Sequence, residues 1–141
     1  MSDQALRLVI SAAVLLHGLG HGGAIVALAW LAWRPGTNTG SWTAARSWLL
    51  PSLEPRTATI VACAFWIVAL VGFVATVLAF WGVVLPTAAW QPLAIVSAIV
   101  STAGIVVFFG NWPLFNTLAA LGANAAVLVA LVVAHWEPPA A

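Results

Sequence analysis

The chain has 141 residues, of which 64% are hydrophobic and 5% charged, with a formal net charge of +1 and a mean hydropathy of +1.11. A soluble domain carries about a quarter charged residues, so no water-facing surface of ordinary size can be built from four arginines, three acids and no lysine. This excludes a soluble catalytic domain, leaves a nucleic-acid partner no electrostatic footprint, and points to lipid as the solvent.

The predicted fold is all-α: a polytopic membrane protein with a four-transmembrane-helix bundle. The first predicted helix covers about residues 6–33, and Arg34-Pro35-Gly36 stops it. Arg7 followed by an apolar run mimics a secretory leader, but the run continues through Trp30 and Trp33, longer than a signal core, and is read as a retained helix. Residues 34–56 form the one substantial polar loop. Within it Trp42 to Leu50 reads as a short amphipathic interfacial segment, with Trp42, Ala45 and Leu49 on one side and Arg46 and Ser47 elsewhere.

The second predicted helix runs over about 57–85, with Thr57 as a possible cap and Pro86 as terminator. The third covers about 92–110 and ends at the turn Gly110-Asn111-Trp112-Pro113; the fourth covers about 114–136. No Asp, Glu, Lys or Arg lies between Arg56 and Glu137, nor between Arg7 and Arg34. One span needs roughly 20 apolar residues, so the first of these gaps holds three spans and the second holds one. The apolar runs are continuous, which excludes the alternating segments of a membrane β-barrel. No internal repeat relates the two halves.

Four spans put both termini on one side. Arg34, Arg46 and Arg56 on the other side bias the 34–56 loop toward the cytoplasm of a bacterial inner membrane. Trp at positions 30, 33, 42, 48, 90, 112 and 136 falls at predicted span ends, as interface anchors do; Trp66 and Trp81 remain to wall an interior site. The single cysteine, Cys63, sits in an apolar run and reads as a small buried hydrophobe.

Polar groups inside hydrocarbon each need a partner or a cavity. The candidates are His17, His21, Thr76, Ser97, Ser101, Thr102, Asn116 and Asn124, with His135 at a span end. His17 and His21, four apart, share a helix face and lie roughly 6 Å apart along its axis. Two imidazoles at that spacing can bind one metal ion, but no carboxylate, third His or Cys lies at their depth to complete a site. A haem or chlorin could be held by one imidazole with Gly18, Gly20, Gly22 and Gly23 making room, although two rings on one face cannot ligate opposite sides of one macrocycle.

A third reading is a packed polar network of His17, His21, Ser101 and Asn124 beside the small-residue step Gly18/Gly22, which lets helices approach closely. A fourth is a pocket for an isoprenoid-, quinone- or sterol-like molecule, lined by His17, His21, Ser97, Ser101, Asn124 and Trp66. No catalytic constellation is evident, because Asp3, Glu54 and Glu137 all lie outside the predicted spans.

The run RLVISAAVLLHGLGHGGAI resembles the first helix of small four-helix bacterial integral membrane proteins of unknown function that begin with His-Gly-x-x-His. The similar pattern continues with Trp66, Trp90-Gln91-Pro92-Leu93, Ser97, Ser101 and Asn124. The resemblance implies the four-helix fold and no particular activity. Two functions are therefore expected from the sequence. The first is an accessory or assembly protein packing against partner membrane subunits or further copies of itself. The alternative is a membrane protein that binds a lipid-soluble ligand, a haem or chlorin, or a metal through His17 and His21.

Overall fold

The computed structural model of the protein describes residues 2–33 and 45–138. The regular elements among these residues are helices: α1 (Asp3–Trp33), α2 (Pro55–Phe80), α3 (Trp90–Val107) and α4 (Leu114–Leu128), with a 3₁₀ turn at Thr87–Ala89 and a π-helical extension of α4 at Val129–Val133. Four of the helical stretches are long and apolar enough to cross a membrane.

The ends differ from the sequence expectation in instructive ways. Helix α2 begins at Pro55, a residue suited to a first turn that needs no N–H donor, with Glu54 rather than Thr57 in the cap position. It stops at Phe80, five residues earlier than Pro86 implied. Gly82 (φ 63°) and Val84 (φ 68°) turn left-handed, and the Val83 N–H closes back on the Leu78 carbonyl. Helix α3 ends at Val107 rather than 110, and the π extension ends at Val133 rather than 136.

Residues 42–44 of the expected interfacial segment lie outside the described residues, and the remainder is not helical. Residues 45–50 instead form an irregular strap over the C-terminus of α3. Ser47 Oγ donates to the Val107 carbonyl at 2.8 Å and Trp48 Nε1 to the Val106 carbonyl at 2.6 Å. Asn111 grips Arg46 on both sides, accepting from its N–H and donating to its carbonyl. The orphan carbonyls at the end of a helix need donors, and that need overrides the amphipathic pattern: Ala45 and Ser47 are buried while Leu49 is exposed.

At the opposite end, Arg7 performs the same service for α2. Its Nη2 donates to the Phe80 carbonyl at 3.0 Å, and its guanidinium lies over the rings of Phe80 and Trp81. Ser11 accepts from Trp81 Nε1 at 2.7 Å, stapling the start of α1 to the end of α2.

Small residues set the helix spacing. A Cβ at Gly18 would lie 2.8 Å from Phe73 Cβ, and one at Gly22 would touch Leu70, so α1 seats directly on α2. Gly72 lies against Ser97, and Gly104 against Phe65 and Trp66, which brings α3 equally close to α2. Two apolar clusters result. One joins Leu28, Ala58, Ala62, Trp66, Ile105 and Phe108, with Cys63 half-buried against it; the other joins Ala69, Phe73 and Ala98. Helix α3 also packs on α4, whereas α1 and α4 scarcely approach each other. The ring of four helices is therefore left open along one seam.

Candidate ligand site at the seam of the bundle

The polar side chains converge at mid-length of this seam. His17 and His21 stand on the inner face of α1, four residues apart, with ring centroids 5.1 Å from each other. His21 lies near-parallel to the Trp66 indole (5.4 Å, 12°) and to the Phe73 ring (6.2 Å, 5°). Trp66 and Phe73 are two turns apart on one face of α2, so they flank the imidazole and fix its plane. That orientation carries His21 Nε2 to α3 and leaves His17 to reach α4.

The resulting chain of hydrogen bonds runs in one direction. His17 Nε2 donates to Asn124 Oδ1 at 2.7 Å and Asn124 Nδ2 donates to Ser101 Oγ at 2.8 Å; the Ser101 hydroxyl lies 3.0 Å from His21 Nε2, which is the acceptor that the described residues offer its proton. Asn124 and Ser101 are both fully buried. Buried polar groups left unsatisfied are costly, and this chain satisfies four of them on three helices.

Of the sequence-selected residues, His17, His21, Ser101, Asn124 and Trp66 thus meet in space. Ser97 does not join them; its hydroxyl donates to the Leu93 carbonyl on its own helix and lies against Gly72. Thr76 likewise bonds back to Gly72. Trp81 is partly exposed at the far end of α2. The residue that sequence reasoning missed is Phe73, fully buried and 4.8 Å from the His17 ring. Its signal was present, since it follows Trp66 by seven residues.

Metal and macrocycle ligation meet two obstacles. Both Nε2 atoms are engaged, so ligation through either breaks a bond to Asn124 or Ser101. Among the described residues, no cluster of three His, Cys, Asp or Glu surrounds the pair. The glycines also divide: Gly18 and Gly22 are filled by α2, whereas a Cβ at Gly20 or Gly23 would meet none of the described residues within 4 Å.

Gly20 and Gly23 open onto a cavity of about 490 Å³ whose walls include His17, His21, Trp66, Trp112 and Phe115. A second cavity of about 450 Å³ lies on the other side of His17, walled by Val14, Phe73, Phe80, Trp90, Val127 and Trp136 among others. His17 lines both. Its bond to Asn124 is the bridge across the seam that separates them. No family model, no curated protein and no solved structure matches this chain.

Asn124→Leu tests the bridge. It strands the His17 N–H and removes a donor from Ser101, at a cost of about 1–2 kcal/mol. Denaturation of the detergent-solubilised protein by added dodecyl sulfate reads this loss, and no change would show that the bridge contributes nothing.

Proposed function

We propose that the chain is an integral membrane protein with four spans that binds an elongated, lipid-soluble molecule in the seam between α1 and α4. The observation that carries this reading is the pair of cavities meeting at His17, in a groove of mostly apolar walls that carries the two imidazoles near its mid-length. The walls extend from Leu6 to Ala24 on α1, roughly 27 Å at the helical rise, which suits an isoprenoid or acyl chain better than a compact solute. Binding would place the ligand's polar group at the His17–Asn124 bridge. The remaining length would lie against aliphatic and aromatic side chains. The arginines of the 34–56 loop support a cytoplasmic location for that loop in a bacterial inner membrane.

Gly20→Leu is the direct test. The new side chain enters open space, so the fold should keep its thermal midpoint, yet it projects into the 490 Å³ cavity. Organic extraction and mass spectrometry of the purified protein should recover a stoichiometric lipid-soluble molecule from the native chain and little from the variant. Equal recovery from both would remove the seam as its site.

The accessory-subunit reading is favoured by a separate observation. On α4, Gly122 is exposed with open space above it among the described residues, beside exposed Leu118 and Ala119. A second helix could seat there as closely as α2 seats on Gly18. A partner chain lost from native membranes on Gly122→Leu, with ligand content unchanged, would support this reading over the first.

A further inference from the structure

The direction of the hydrogen-bond chain specifies the chemistry of the ligand's polar group. Because Asn124 Oδ1 can only accept, His17 donates through Nε2 and its Nδ1 is an acceptor in the neutral ring; with the Ser101 proton directed at His21 Nε2, the His21 Nδ1 carries the proton and is a donor. Asn124 holds this polarity, since an amide between two groups cannot pass a proton along without first becoming an imidic acid. Turning the Asn124 amide over would exchange the two roles and still leave one acceptor and one donor. Neither Nδ1 is engaged by another group of the described residues, and neither is a sealed-off orphan. Both rings line the 490 Å³ cavity.

We propose that this cavity selects a ligand whose polar group donates and accepts at once, the hydroxyl of a lipid-soluble alcohol or phenol, held between His17 Nδ1 and His21 Nδ1. The inference rests on the binding reading above and narrows it. Both rings line this one cavity with their centroids 5.1 Å apart, so a single polar group entering it meets the two imidazoles together. An oxygen that only accepts, as in an ether or ketone, satisfies His21 and leaves the His17 acceptor facing it without a proton. The open positions Gly20 and Gly23 on the wall of the same cavity leave room for a ring to carry that hydroxyl.

The test uses the full chain, labelled with nitrogen-15 histidine, in detergent micelles. The spectrum should show His17 and His21 as neutral rings in opposite tautomers, with the third signal set assigned to His135 by its loss in His135→Gln. The probes are 4-nonylphenol and 4-nonylanisole, which share a tail and differ in the hydroxyl proton. The phenol should bind at least about tenfold more tightly than its methyl ether, shift both Nδ1 signals, and lose its affinity in Gly20→Leu. Finding both rings in one tautomer would overturn the inference. Equal affinity for the two probes would overturn it too, while leaving the seam a general binding groove. If neither probe binds, the binding reading fails with it.

Discussion

Trp66→Ala should destabilise the protein by about 3–5 kcal/mol, the range for truncating a buried aromatic residue. The ring is 2% exposed, stacks on His21, meets Trp112 edge-on at 6.3 Å and fills the cluster of Leu28, Ala58, Ala62, Ile105 and Phe108. Its indole N–H has no acceptor among the described residues, so truncation removes packing and no hydrogen bond. Trp66→Phe should therefore recover most of the loss. Thermal unfolding in a mild detergent measures both variants, and a loss below about 1 kcal/mol for Trp66→Ala would deny the ring its place in the core.

Gly104→Val should cost about 2–3 kcal/mol by forcing α3 away from α2. A bare Cβ at this position already lies 2.8 Å from Phe65 Cβ and 3.1 Å from Trp66 Cζ3. Phe65 Cβ is anchored to its backbone and cannot swing aside, so relief requires the helix to move. Valine adds two methyl groups to that collision. Gly20→Leu adds a larger side chain in the same fold at no comparable cost, because none of the described residues stands above it. Unfolding curves for the two variants side by side check the contrast; similar midpoints would contradict the close approach of α2 and α3.

The four helices are legible in the sequence because their outward-facing and core residues are alike apolar, and uninterrupted runs between charges leave few alternatives. Their ends are less legible. Pro86 looks like the terminator of α2, yet Gly82 turns the chain first, and nothing in Val83-Val84-Leu85 announces a valine at φ 68°. The strap over α3 has an amphipathic pattern, while the deciding force is the demand of the Val106 and Val107 carbonyls for donors, which only the folded arrangement reveals. The role of Arg7 is hidden for the same reason: the carbonyl it caps lies 73 residues away, at the end of α2.

At the site, the shared depth of His17, His21, Ser101 and Asn124 follows from counting residues from span midpoints. That count cannot tell Ser97 from Ser101, which lie one turn apart on one face of α3. What separates them is the axial register of α3 on α2, which sets Ser97 against Gly72 and brings Ser101 level with His21 and Asn124. The seam itself has no sequence signature, since it depends on which pair of helices fails to close.

Every extensive helix contact joins neighbours in the chain: α1 with α2, α2 with α3, α3 with α4. Each hairpin can therefore mature as soon as its second member emerges during synthesis, with little long-range ordering to await. The bond from His17 to Asn124, linking positions 107 residues apart, can form only after the last helix has arrived. Among the described residues the first and last helices thus behave as two leaves of a gate latched by one hydrogen bond, and parting them would loosen the margins of both apolar clusters, where Ala24 and Val14 come from one leaf and Leu121 and Val127 from the other.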